Sequence, residues 1–197
     1  NIKTTLDIYT HLKENKKLMP HLHVSIQSLD DKILKLMKRN YSAEFVVKLL
    51  NKVQNEVPDS AITADIITGF PQEDEENFWN TFENLKKIDF SDFHIFPYSD
   101  REKTAAAAFS GKIEPEIKKE RVKILENLKK IKIREFREKF LGTVQKVYIE
   151  EIKEGKAYGY TENYLRVEVN SVSHKVADIV NVKIMSSAGD LLKGEII

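Results

Sequence analysis

"HLHVSIQSLDDKILKLMKR" (residues 21–39) decides how the chain is read. Leu22, Val24 and Ile26 alternate with His21, His23, Ser25 and Gln27, the period-2 signature of a strand. The alternation stops at Gln27-Ser28. After Asp30-Asp31, Ile33, Leu34, Leu36 and Met37 recur at helical spacing. A strand that ends on polar residues and turns straight into a helix is one half of a β-α unit. In parallel α/β folds ligands sit at such strand ends.

The same alternation continues outward from this stretch. "SAEFVVKLLNKVQNEV" (42–57) predicts a helix capped by Ser42, with Phe45, Val46, Leu49, Leu50 and Val53 as its stripe. "AITADIITGF" (61–70) predicts a β-branched strand ending at Gly69. "QEDEENFWNTFENLKKI" (72–88) predicts a helix whose acidic residues Glu73, Asp74, Glu75 and Glu76 face the positive end of its dipole. "DFHIFPY" (92–98) predicts a third strand. The order β-α-β-α-β implies parallel strands joined by helical crossovers, an α/β class. "SDREKTAAAAFSGKIEPE" (99–116) reads as a loop. "PEIKKERVKILENLKKIKIREFREKF" (115–140) reads as one long helix, with Pro115 at its start and a stripe of Ile117, Arg121, Ile124, Leu128, Ile131 and Phe136.

From about Leu141 the period changes. "GTVQKVYIEEI", "GKAYGYT", "YLRVEVN", "DIVNVKIM" and "LLKGEII" are short alternating segments with glycine punctuation, which predicts a small antiparallel β-barrel. Three parallel strands are few for a complete α/β domain. The sheet is therefore expected either to be open at an edge or to continue on sequence outside this chain.

Composition narrows the function. Of 197 residues 41% are hydrophobic, enough for a core, and the formal net charge of +1 does not advertise nucleic-acid binding. No apolar run approaches the roughly 18 residues of a membrane span, and no leader peptide is visible, so a cytoplasmic protein without a membrane partner is expected. There are no cysteines. That excludes disulfides, a thiol nucleophile, and any cluster or zinc ion held by thiolates of this chain. The chain begins at Asn1 rather than Met and reads as a piece of a longer protein.

Polar residues at strand ends are the candidate site: Gln27-Ser28, "GFPQE" (69–73) and Tyr98-Ser99. Asp65 interrupts an apolar strand. A carboxylate there needs a hydrogen-bonding partner, which a backbone amide, a lysine or a ligand could supply. Arg39 ends the first helix, where complementing the dipole is the plainer role. His21, His23 and His94 sit on strands and are expected to hydrogen-bond in or beside the sheet. No metal site is assigned, because none of them has a paired ligand at motif spacing. The barrel segments carry Lys146, Lys153, Lys156, Arg166, Lys175, Lys183 and Lys193 with Tyr148, Tyr158, Tyr160 and Tyr164. Cations for phosphates and rings for bases suit single-stranded RNA. A solvated charged surface fits the composition equally, since five glutamates lie among them.

"PHLHVSIQSLDDKILKLMKRNYS", "TADIITGFPQEDEENF", "FHIFPYSDREKTAAAA" and "EIKKERVKILENL" resemble, in this order, the second half of the radical S-adenosylmethionine barrel of tRNA methylthiotransferases of the MiaB/MtaB type. The last part, "FLGTVQKVYIEE" to "VNVKIMSSAGDLLKGEII", resembles the TRAM domain that follows in those enzymes. "FPYSDREKT" and "GYTENYLRVEV" look most like the branch that methylthiolates N6-threonylcarbamoyladenosine beside the tRNA anticodon. The resemblance implies a partial (β/α) barrel over 1–138, ending in the long helix from about 115, and a TRAM RNA-binding barrel over 139–197.

It also implies that Gln27, Arg39 (twelve residues later) and Asp65 bind S-adenosylmethionine. Arg39 would take the methionine carboxylate, Asp65 the ribose hydroxyls and Gln27 the amino-acid end. Ile66 and Phe70, or the Phe96-Pro97 edge, would pack the adenine. Tyr160, Asn163, Tyr164 and Arg166 are the RNA-binding candidates, and the anticodon stem-loop of tRNA is the expected partner. The family carries two [4Fe-4S] clusters on cysteines that this chain lacks. The chain is therefore expected to need an N-terminal half of the same enzyme, to be inactive alone, and to expose strand edges that could pair as a homodimer. A non-catalytic RNA-binding module on a degenerate radical scaffold is the alternative.

The chain departs from the family in three places. Ser28-Leu29-Asp30 replaces Ser-Gly-Ser/Cys-Asp. Gln72 stands where the family has the second glycine of Gly-Phe-Pro-Gly-Glu. Arg101-Glu102-Lys103-Thr104-Ala105 replaces Arg-Pro-Gly-Thr-Pro.

Overall fold

A computed structural model describes residues 18–102, 104–170 and 174–197. Three parallel strands form an open sheet in the order β1 (His21–Gln27), β2 (Ala61–Thr68), β3 (Asp92–Pro97). Between them run α1 (Asp31–Leu36), α2 (Ala43–Glu56) and α3 (Glu75–Lys86), and α4 (Pro115–Glu138) follows a short 3-10 turn at Ala105–Ala108. All helices lie toward one face, because that face offers the continuous apolar surface. Val24, Ile26, Ile62, Ala64, Ile66 and Phe93 are buried there against Val46, Leu49, Leu50, Val53, Phe78, Leu85, Leu125 and Leu128. Residues one step along each strand (His23, Ser25, Thr63, Asp65, Ile67, His94 and Phe96) point to the opposite, uncovered face.

The caps explain where the helices begin. The Asp30 carboxylate accepts from the Ile33 amide at 3.0 Å, and the Ser42 hydroxyl accepts from the Phe45 amide at 3.2 Å. Asp74 and Asn77 close a reciprocal capping box at the start of α3. Glu73 is therefore not one of the exposed acids of that helix. It is 1% exposed and paired with Arg121 at 2.8 Å. Phe45 is also off its expected stripe, being exposed on α2.

The stripe of α4 likewise differs from the expected one. Ile117 and Ile131 are exposed, and the buried line is Arg121, Leu125, Leu128, Lys132 and Phe136. Two charged residues belong to it because each has a partner inside. Arg121 donates to Glu73, and the Lys132 ammonium donates to the Lys86 carbonyl at 2.7 Å.

The second unit is a closed barrel of β4 (Val144–Lys153), β5 (Lys156–Thr161), β6 (Arg166–Asn170), β7 (Ile179–Ala188) and β8 (Leu191–Ile196), in the order β4-β5-β6-β8-β7. It is not wholly antiparallel. β6 and β8 run parallel, because the β7–β8 hairpin returns between β7 and β6 and closes the barrel there. Val147, Ile149, Ala157, Val167, Val169, Val182, Ile184 and Leu192 fill the interior. Gly159 is required at one close approach: a Cβ there would stand 2.1 Å from the Tyr148 carbonyl oxygen. Phe136 and Phe140, at and just beyond the end of α4, enter this core together with Ala61 of β2. The barrel is thereby seated on the N-terminal end of the sheet. The Asn163 side chain adds a hydrogen bond to the Asp59 carbonyl at 2.8 Å.

Candidate functional site

The strand ends and the loop after β3 enclose a cavity of about 480 Å³ lined by Gln27, Asp65, Ile67, Tyr98, Arg101 and Thr104, with Phe96 and Pro97 at its side. Gln27 reaches it through an irregularity. The β1–β2 register slips between Val24 and Gln27, and Gln27 takes a left-handed φ of 72°. Bulges of this kind re-aim side chains beside sites. The next three residues, Ser28, Leu29 and Asp30, are buried, with the Ser28 hydroxyl 3.1 Å from that of Thr81. The turn is anchored from below, and Gln27 is left on the cavity side.

Asp65 stands on the uncovered face within reach of three side chains. His23 Nε2 lies 3.1 Å from Oδ2, the Ser25 hydroxyl donates to Oδ2 at 3.3 Å, and His94 Nδ1 lies 3.3 Å from Oδ1. Partial burial pushes the Asp65 carboxyl upward, but the bonds and charge from His23, with those from His94 and Ser25, outweigh it and hold the group below the usual aspartate value. Asp65 is thus satisfied by side chains of neighbouring strands, rather than by a backbone amide or a lysine.

The other S-adenosylmethionine candidates separate. Arg39 is exposed beyond α1, close to the Tyr41 hydroxyl, and does not line the cavity. Arg101 does. The turn that brings it there is closed by the Thr104 hydroxyl donating to the Arg101 carbonyl at 2.8 Å. Ile66 is turned into the helical core, so its neighbour Ile67 faces the cavity instead. Phe70 is buried edge-on against Tyr98, ring centroids 5.0 Å apart. Tyr98 itself lies between two ammonium groups, Lys112 and Lys118, at 5.7 and 5.5 Å from its ring.

Behind the cavity, the "GFPQE" turn is held by buried charge. Glu73 accepts from the Gly69 amide at 2.5 Å and from Arg121, which also donates to the Glu73 carbonyl at 3.0 Å. Burial nonetheless leaves the Glu73 carboxyl above its usual value. Gly69 cannot carry a side chain: its φ is +74°, and a Cβ would sit 2.5 Å from the Lys118 side chain. Gln72, at the family's second glycine position, also takes a left-handed φ of 68°. A glycine would adopt that conformation without strain.

On the barrel a row of outward side chains crosses four strands. Ile179 of β7 pairs with Tyr148 of β4, Tyr148 with Tyr160 of β5, and Tyr160 with Arg166 of β6. Tyr164, in the β5–β6 turn at φ 64°, stacks beside Tyr160 at 6.4 Å and beside His21 at 4.8 Å. Met19, Lys146, Tyr148, Tyr160, Tyr164 and Ile179 line a groove of about 730 Å³. Three RNA-binding candidates therefore share one surface. Asn163 does not belong to it: it is buried at 3% exposure and ties the barrel to the loop before β2. Tyr148 and Ile179 were not among the candidates, although the alternation of β4 and β7 places both outward.

The sequence is similar to known proteins over most of its length. Residues 2–85 match the family model described as the radical SAM superfamily. Over 198 residues, 98% of the chain, the sequence is 34% identical to a threonylcarbamoyladenosine tRNA methylthiotransferase MtaB of Bacillus subtilis, covering 44% of that protein. Identity to the protein of the same name from Aquifex aeolicus is 42% over 153 residues, 78% of the chain and 36% of that protein. In sequence the chain is similar to MtaB-type methylthiotransferases over nearly its whole length. A tRNA-2-methylthio-N(6)-dimethylallyladenosine synthase of Thermodesulfovibrio yellowstonii is 40% identical over 189 residues, 94% of the chain and 43% of that protein. The methylthiotransferase-like chain thus spans less than half the length of the curated relatives it matches. Its identity does not separate the two branches.

Radical enzymes of this superfamily use S-adenosylmethionine and an iron–sulfur cluster. The cavity fits the first: its size is that of a small-molecule pocket, and amide, carboxylate, guanidinium and aromatic groups converge on it. The chain does not fit the second, since it offers no thiolate.

Proposed function

We propose that this chain is the C-terminal part of a tRNA methylthiotransferase that modifies N6-threonylcarbamoyladenosine next to the anticodon, with a TRAM barrel over 139–197 that holds the tRNA. The observation that carries the reading is the order along the chain, a strand-end cavity on an α/β sheet followed by a barrel with an aromatic groove, in a sequence similar to such enzymes over 98% of its length. Within the cavity Asp65 accepts from the ribose and Gln27 binds the amino-acid end of S-adenosylmethionine. Arg101, as a cavity-lining guanidinium, takes the carboxylate in place of Arg39. S-adenosylmethionine supplies radical chemistry only with a cluster, whose ligands lie in the N-terminal half of the enzyme and not in this chain. On the barrel, Tyr148, Tyr160 and Tyr164 stack bases while Lys146 and Arg166 meet phosphates.

Three measurements test this. The chain alone, incubated anaerobically with iron, sulfide and reductant, should not cleave S-adenosylmethionine, yet it should bind an anticodon stem-loop RNA with strong salt dependence. Reductive cleavage, or no RNA binding at low salt, overturns the proposal. Binding of S-adenosylmethionine should weaken more on Arg101→Ala than on Arg39→Ala. The reverse order would restore Arg39 to the site.

A further inference from the structure

The geometry points to a divalent transition-metal site on the uncovered sheet face, held by His23, Asp65 and His94, one from each strand. The three ligand atoms lie within 4.8 Å of one another. His23 Nε2 is 3.1 Å and His94 Nδ1 is 3.3 Å from the two carboxylate oxygens. A tetrahedral ion with metal–ligand bonds of about 2.0–2.1 Å needs donors roughly 3.3 Å apart; each imidazole already stands at that separation from a carboxylate oxygen, and the widest pair of the set, within 4.8 Å, closes by rotation of the exposed rings.

The second ring nitrogen of His23 strengthens the assignment. Nδ1 lies 2.9 Å from the Thr63 hydroxyl oxygen, and that hydroxyl has the Leu22 carbonyl as its own acceptor at 3.5 Å. In the tautomer with its hydrogen on Nδ1, the ring donates to Thr63 and Nε2 is free to bind an ion; in the other, Thr63 donates to Nδ1 and Nε2–H donates to Asp65, so binding an ion needs only a change of tautomer. Fixing a ligand histidine through its other nitrogen is the usual outer shell of metal sites. The Ser25 hydroxyl orients the same carboxylate oxygen from the other side. The donor set, two imidazoles and one carboxylate, suits Zn²⁺, Co²⁺ and Ni²⁺ rather than Mg²⁺ or Ca²⁺. The site is open to solvent: the side chains of His23 and His94 keep 40% and 53% of their exposure and Asp65 keeps 22%, so a coordination position remains for water or a ligand. Histidine spacing in the sequence hides this set, because 23, 65 and 94 meet only through the parallel register.

The site shares Asp65 with the cavity but does not depend on the cofactor reading. Its test is the 197-residue chain titrated with Zn²⁺ against a chromophoric chelator, and with Co²⁺ followed by visible absorption. One Zn²⁺ per chain and the intense d–d bands of four- or five-coordinate Co²⁺ are expected. Asp65→Asn and His94→Ala should each weaken Zn²⁺ at least about tenfold, and Thr63→Val, which leaves the ligands intact, should weaken it measurably. His174→Ala, remote from the site, should change nothing. Equal affinity in the His23→Ala/His94→Ala double variant, with circular dichroism unchanged, overturns the site, as does Co²⁺ giving only weak octahedral bands. S-adenosylmethionine binding measured with chelator present keeps the two readings separable: loss of metal binding with cofactor binding retained rejects this site alone.

Discussion

Gln72 carries the backbone strain of its turn. Its φ of 68° is a conformation that costs a residue with a Cβ about 1–2 kcal/mol. Its amide still donates to the Gly111 carbonyl at 2.8 Å, so the turn cannot relax without losing that bond. Gln72→Gly relieves the strain but adds freedom to the unfolded chain, leaving a net gain of about 0.5–1 kcal/mol. Thermal unfolding should show a midpoint higher by about 2 °C. A lower midpoint would mean that the glutamine side chain makes a contribution larger than its strain. On the barrel, Tyr148→Ala should cost about 1–3 kcal/mol in RNA affinity by removing a stacking ring, while Arg166→Ala should flatten the salt dependence. Asn163→Ala should instead lower stability and leave the RNA salt slope unchanged, because its amide faces the Asp59 carbonyl and not solvent. Filter-binding titrations over a range of salt separate these outcomes.

The element that holds the cavity in place is α4, through its buried arginine. Removing Arg121 leaves the Glu73 carboxylate without its partner inside the protein, and Arg121→Leu should cost about 3–5 kcal/mol. The pH response follows from the direction of the shift. Burial raises Glu73 above its ordinary 4.5, so its contribution to stability is fully present below that value and is lost as pH rises through the raised one. Asp65 behaves oppositely: held below its ordinary 3.8, it contributes above that value and loses its contribution as pH falls through the lowered one. Denaturant titrations from pH 4 to pH 8 should therefore show a flatter decline for Glu73→Gln than for the parent chain. An unchanged slope would show that Glu73 titrates alike folded and unfolded.

For the whole molecule, the sheet has β1 and β3 as its edges, and among the described residues no further strand covers them. Such edges offer unpaired amides and carbonyls to a second copy. Sedimentation velocity at rising concentration should reveal self-association of the chain. A monomer throughout would show that the polar rows of β1 and β3, with Pro97 at the end of the latter, protect the edges well enough. No helix among the described residues is long and apolar enough to cross a membrane.

Much of this was legible in the chain, because periodicity and capping are local. Every strand of both units, the start of α2 at Ser42, the start of α4 at Pro115 and the strand-end position of Gln27 follow from residues within a few positions of one another. The corrections come from partners distant in sequence. Glu73 meets Arg121 across 48 residues and Asn163 meets Asp59 across 104. The β6–β8 pairing depends on where a hairpin folds back. His23, Asp65 and His94 become one cluster only when three strands adopt a common register. The sequence by itself determined the elements, their order and the absence of thiolates. Only the tertiary structure decided which polar side chains are buried, which face the cavity and which form the barrel groove. A side chain's period says which way it points from its own backbone, while its chemistry depends on the groups that packing places opposite it.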